Sequence, residues 1–379
     1  MGAAAEHMRN RRGTVELIDD HAHPFGLRAR PLDLGSISLD VDPHGDERRR
    51  ELAPGRLALE ALRLRLARLL GCEPDDVEAV RDQLAGADWG GYVRRLFGDV
   101  GVGGMLLDGG TDPLQPDEAA AYADLAGAPT WSLLRIEAVI DPLIETGAGA
   151  AEICGGVERF VAAGAAAGAA GCKTVLAYRT GLGVDPGADT GAADRSLREL
   201  ELPVRRRGKA LRDLVLRRTL GLCADLGMPM QVHTGFGDSE LRMADADPLL
   251  LDDLLRTPEG AAADVVLIHG AFPWHEQVAH LAGTRPHVWA EFSLANLISP
   301  ATTADRLLRM VDLAPTHRLL LGSDGHGPPE THWFALAMLR DAWITLCDRL
   351  SGVVRPGWLA DVERRIFADN ARAVYRLDA

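Results

Sequence analysis

Short apolar runs recur along the chain, each followed by polar or glycine-rich residues and then a stretch with helical spacing. They are VELID (15–19), VGGMLLD (102–108), LLRIEAVI (133–140) and CKTVLAY (172–178). Four more follow: MPMQVH (228–233), DVVLIH (264–269), HVWAEFS (287–293) and HRLLLGSD (317–324). Short apolar runs bounded by turn signals suit buried strands, and their alternation with helices marks parallel βα units. The pattern predicts an α/β fold, a (β/α)8 TIM-type barrel, with a doubly wound sheet as the alternative.

The long gap falls between the first and second strands. Residues 46–97 place Leu59, Leu62, Leu66, Leu69 and Leu70 at helical spacing. This predicts a helical insertion over the barrel mouth, serving either as a lid or as structural padding. FVAAGAAAGAAG (160–171) reads as an alanine-rich barrel helix ending at glycine. Residues 183–210 read as a loop after strand four, and IFADNARAVYRL (366–377) as a final amphipathic helix. Residues 1–14 lack an apolar signal core and read as a disordered leader, leaving 15–379 as a single domain.

Charge and cysteine usage narrow the setting. A formal net charge of −14 speaks against a nucleic-acid surface or a polybasic membrane contact. No run reaches the roughly 18 apolar residues of a membrane span. The five cysteines are scattered and form no CxxC pair, which argues against a disulfide framework or zinc ribbon. A soluble cytoplasmic protein with reduced thiols is expected, acting on a small molecule, with a homodimer as the default assembly.

In such a barrel the functional groups sit at the C-terminal ends of the strands. His21 and His23 close the first strand and, at a period of two, point to the same side. His233, His269 and Asp324 end strands five, six and eight. A single histidine is usually a packing or surface residue. Five such groups on one rim instead predict a metal site, because imidazole nitrogens and a carboxylate suit zinc or another first-row ion. Arg179, at the mouth of strand four, either fixes a substrate carboxylate or pairs with a neighbouring acidic loop. Arg135 and Glu137 alternate along strand three, and Glu291 lies on strand seven; each is a candidate to face the site. His275, just beyond strand six, is a candidate substrate contact, and His326 a candidate support for Asp324. Neither a GxSxG elbow nor a GxxxxGK[ST] phosphate loop is present.

Four strings sharpen this reading: HAHPF (21–25), AYRTGL (177–182), QVHTGFGD (231–238) and LGSDGHGPPE (321–330). With the His and Asp set they resemble the amidohydrolase superfamily (amidohydrolase-related family 2). Within it they are most similar to the FluG-type amidohydrolase domain, without the glutamine-synthetase-like part fused to it in fungal proteins. The resemblance runs from about residue 15 to residue 377. It implies a divalent metal, zinc first with manganese or iron as alternatives, held by His21, His23, His233 and Asp324. It also implies Asp324 as the proton carrier, and His269 as carbonyl polariser or acid/base. Two-metal members of the superfamily carry a bridging lysine or glutamate at the mouth of strand four. Here residue 176 is Leu, and Lys173 lies near the strand's start, so it reads as structural and one metal is expected.

The implied activity is hydrolysis of a C–N amide bond in a small carboxylate-bearing substrate, with γ-glutamyl amides suggested by analogy. A nonoxidative decarboxylase using one metal is the alternative within the superfamily. A barrel kept as a non-catalytic sensor or scaffold is the third reading.

Overall fold

A computed structural model describes residues 15–38 and 45–377; the leader read over residues 1–14 lies outside them. Eight parallel strands pair in sequence order. They are β1 (Leu17–Ala22), β2 (Val102–Asp108), β3 (Thr130–Arg135), β4 (Gly171–Thr174), β5 (Met230–His233), β6 (Val265–Ile268), β7 (Val288–Phe292) and β8 (Leu319–Leu321). With helices between them the strands form a nearly closed (β/α)8 TIM barrel. Beyond the paired strands, two backbone bonds tie the ends of β1 and β8. Asp324 N–H donates to the His21 carbonyl and His23 N–H to the Gly325 carbonyl, each at 2.8 Å.

Strand alternation splits the apolar residues into two cores. Leu17, Met105, Leu107, Val265 and Leu321 join the large outer cluster under the helices. Ile18, Leu106, Leu133, Val266, Trp289 and Leu320 form a second cluster with Ala371, Val374 and Tyr375 of the final helix, Asn370–Tyr375. That helix plugs the barrel at the end away from the histidines. Its Tyr375 hydroxyl accepts from Gln231 Nε2 at 2.8 Å and donates to Asp20.

Between β1 and β2 run helices Asp46–Leu52, Leu57–Leu70, Val77–Ala87 and Trp89–Val100. Leu59, Leu62 and Leu66 are buried as their spacing predicts. Polar contacts tie these helices to Pro329–Leu350, the helix after β8, among them Arg65 to Asp341, Arg81 Nε to Glu330 at 2.6 Å, Tyr92 hydroxyl to Glu330 at 2.7 Å and Trp333 Nε1 to Asp99 at 2.8 Å. Among the described residues, none from 46–97 lines the cavity that holds the histidines.

Three expected boundaries move. β3 stops at Arg135, and Glu137 opens the helix Glu137–Glu145 rather than extending the strand. β4 stops at Thr174, and Leu176–Tyr178 form a 3-10 turn. The segment 183–210, expected as loop, contains the helix Thr190–Ser196. In the first two cases an apolar run continues past the end of the strand, so composition carries no mark of where the pairing stops.

Candidate metal centre

The site is built where the barrel closes. The register of β1 shifts between Asp19 and Ala22, an irregularity of the kind that re-aims side chains. His21 is fully buried there. On the β8 side, Asp324 adopts φ 51°, in the left-handed region. It is held there by its bond to the His21 carbonyl and by Ser323, whose N–H and hydroxyl both donate to buried Asp19. Burial pushes the Asp19 carboxyl up to about 7.

His21 Nε2 and His23 Nε2 converge on Asp324 Oδ1, at 3.2 and 3.4 Å. His269 Nδ1 lies 3.7 Å from Asp324 Oδ2. Donor atoms of His21, His269 and Asp324 lie within 4.8 Å of one another, and so do those of His21, His23 and Asp108. His233 joins through His269, its Nδ1 standing 3.0 Å from His269 Nε2 and its Nε2 2.9 Å from the Phe236 carbonyl. His21, His23, His233, His269 and Asp324 line a cavity of about 170 Å³, with Arg135, Lys173, Tyr178, Arg179, Arg205, Gly237, Asp238 and Leu294.

Burial sets the charge states. It lowers His21 to about 4, with the Lys173 ammonium acting in the same direction. His233 and His269 are held well below the usual imidazole range, also chiefly by burial. Burial alone would raise the Asp324 carboxyl, but the imidazoles of His269, His21 and His23 hold it well below the usual carboxylate range. Neutral imidazoles around an ionised carboxylate offer lone pairs to a cation.

Lys173 departs from its structural reading. β4 is short, so Lys173 sits one residue from its end and reaches the cavity, donating to His21 Nε2 at 3.1 Å. Burial lowers its ammonium to about 8, although Asp108, 3.7 Å away, acts against this. Asp108, at the end of β2, is buried under Arg135, which binds it through Nε at 3.1 Å. Its carbonyl accepts from His23 Nδ1 at 2.9 Å. Asp108 was the overlooked member of the rim; its signal was an acidic residue ending an apolar run, the same signal that marked Asp324.

The remaining candidates divide. Arg179 lines the cavity, but its Nε and Nη2 bind Asp141 at 3.0 and 2.9 Å, leaving buried Nη1 without a partner. Glu137, Glu291, His275 and His326 lie outside the lining. Glu137 accepts from the Thr174 hydroxyl at 2.6 Å and braces the end of β4. Glu291 Oε2 accepts from His269 N–H and from Ser293 Oγ, both at 2.8 Å, and Ser293 Oγ also meets His269 Nδ1. His275 starts the helix His275–Thr284, stacked on Phe272, with Nδ1 donating to the Gly270 carbonyl at 2.8 Å. His326 bridges the carbonyls of Asp324 and Ser38, each at 3.0 Å.

A barrel with clustered His and Asp at its strand ends defines a class. The amidohydrolase family model matches residues 155–377, and the chain belongs to that family. Among curated proteins it is 26% identical to Protein fluG of Emericella nidulans, over 90% of this chain. It spans 43% of that protein's length. Among solved structures, a candidate metal-dependent hydrolase from Lactobacillus casei superposes with a TM-score of 0.84 at 24% identity, covering 97% of this chain and 96% of that one. Glucuronate isomerase from Caulobacter crescentus shares the fold at a TM-score of 0.70 and 15% identity, covering 100% and 94%. Uronate isomerase from Bacillus halodurans shares it at 0.68 and 12%, covering 100% and 98%.

Proposed function

We propose that this chain is a metal-dependent hydrolase that cleaves the C–N bond of a small, carboxylate-bearing amide. The observation that carries the reading is the convergence of two imidazole nitrogens, His21 Nε2 and His23 Nε2, on one oxygen of Asp324. Three lone-pair donors aimed at one point fit a divalent ion, and the mixed nitrogen and oxygen set favours zinc, with manganese or iron as alternatives. His21, His23 and Asp324 would hold it, with His233 and His269 the other nitrogen donors of the rim. Such an ion acidifies water and polarises a carbonyl.

The chain's own groups supply the rest. Asp324 accepts a proton from the attacking water and returns it to the leaving nitrogen, so water adds across the C–N bond to give a carboxylate and an amine. His269 is fixed by Ser293 and Glu291 and stands beside Asp324 Oδ2, where it polarises the amide carbonyl. Arg179 keeps one nitrogen, Nη1, for a substrate carboxylate, short of the two-nitrogen fork of a bidentate clamp. γ-Glutamyl amides are the favoured subset, by analogy with FluG-type domains and their glutamine-synthetase-like partners.

The decarboxylase alternative rests on a single metal, expected from the missing lysine at the mouth of strand four, and on Arg179 near the substrate acid group. Lys173 lines the cavity, which weakens the first support, and hydrolysis is the reading retained. The substitution Asp324→Asn tests it. Folding should be preserved, with amine release falling by about 10³-fold, within the range of a lost acid/base group. Undiminished amine release, or carbon dioxide as the product, would contradict the assignment.

A further inference from the structure

The helices between β1 and β2 are tied by their side chains to the loop that leaves β1. Trp89 Nε1 donates to the Gly26 carbonyl at 3.1 Å, and buried Arg81 Nη1 to the Arg30 carbonyl at 2.6 Å. Asp82 accepts from Leu32 N–H at 2.9 Å, and Glu78 from Leu34 N–H at 2.8 Å. These bonds fix the path of the loop. Between the loop, the helices and the turn after β8 lies a second cavity, of about 440 Å³. That volume falls within the roughly 300–1,000 Å³ of small-molecule sites.

Its lining has two parts. Pro31, Leu32, Ile37, Trp89 and Pro328 form an apolar wall, in which the Trp89 indole is held through Nε1 and stacked on Tyr92. Exposed Arg28 and Arg30 supply the charge. Among the described residues, no ion pair or hydrogen bond engages either guanidinium. The acids nearby are already taken: Asp33 by Arg50 Nε at 2.7 Å, Asp82 and Glu330 by Arg81. A chain of formal net charge −14 therefore presents two uncompensated positive charges at this one cavity. It is also distinct from the metal centre. Among the described residues none lines both cavities; His326 lines the second and Asp324 the first, and His326 Nδ1 meets the Asp324 carbonyl at 3.0 Å.

We propose that this second cavity binds a small aromatic acid, whose flat ring lies against Trp89 and the prolines and whose carboxylate or phosphate meets Arg28 and Arg30. Guanidinium groups recognise both kinds of head through paired hydrogen bonds. An aromatic wall that is already fixed in place loses little freedom when a ring stacks on it. The helices between β1 and β2 then serve to build this site, and the site stands independently of the hydrolase reading.

Calorimetric titration of the full chain with 2-naphthoate, 2-naphthyl phosphate, uncharged 2-naphthamide and acetate tests it. The better of the two aromatic anions, which identifies the head group, should bind about tenfold more tightly than the amide, the scale of one charge-assisted hydrogen bond. Acetate, with the charge but no ring, should bind more weakly than 2-naphthoate. The double substitution Arg28→Gln and Arg30→Gln changes two exposed side chains, so it should remove the tenfold advantage at unchanged melting temperature. The same affinity should persist in the chain carrying His21→Ala and His23→Ala. An amide that binds as tightly as the anions, acetate that matches 2-naphthoate, or no binding of any probe would overturn the site. So would anion binding that survives loss of both arginines, or binding lost with His21 and His23, which would put the ligand at the metal centre.

Discussion

His275 lies between Phe272 and Phe292, with Nδ1 bonded and Nε2 buried without a partner. Burial lowers it from 6.5 to about 4. The unfolded chain therefore binds this proton between those values while the folded chain does not. The stabilising contribution of the neutral ring is complete above pH 6.5 and is lost as pH falls toward 4. Imidazole nitrogen NMR should show His275 neutral until pH nears 4; titration near 6.5 would contradict its burial. Glu291 carries a related lesson. Its place on β7 was legible, but its contact was not, because its oxygen reaches the N–H of His269, a partner 22 residues away. Asp108 was hidden for a different reason: a single acidic residue after an apolar run is common, and only the fold brings it under Lys173 and His23.

The elements that aim these residues are the strand ends and the turns behind them. Seven apolar runs ended within a few residues of the observed strands; the third, LLRIEAVI, overran β3 and misplaced Glu137. Lys173 was misjudged because β4 is only four residues long, and the apolar turn after it extends the run without extending the pairing. Behind β5, Gly235 has φ +75°, and a Cβ there would stand 2.4 Å from the Ala271 carbonyl carbon. This is where the loops after β5 and β6 meet, with Phe236 N–H donating to the Phe272 carbonyl at 2.8 Å. Backbone cannot retreat as a flexible side chain can. Gly235→Ala should cost about 2 kcal/mol or more and lower the melting temperature by several degrees. A variant melting within about 1 °C of the wild type would show the loops to be looser than this contact implies.

Across the whole molecule, the seam between the first and last strands and the candidate site coincide. The two backbone bonds that join β1 to the β8 turn place His21, His23 and Asp324 side by side. The eight-strand barrel was readable because apolar runs repeat at the period of a βα unit. The rim was readable because its histidines fall at the ends of those runs. The rest of the cavity lining was less so, since Arg179, Asp238 and Tyr178 lie on turns whose path depends on tertiary contacts such as those of Arg179 with Asp141 and Arg206. The helices between β1 and β2, expected over the barrel mouth, lie against the helix that follows β8. Among the described residues, no helix is long and apolar enough to cross a membrane.

The account stands on a metal ion held at that junction. The direct measurement is elemental analysis of the full chain purified without chelator, beside the double substitution His21→Ala and His23→Ala. The wild type should retain about one equivalent or more of a divalent metal through dialysis, and the variant close to none at unchanged far-UV circular dichroism. A wild-type protein that holds no metal even after incubation with zinc, manganese or iron, or a variant that holds as much as the wild type, would contradict it.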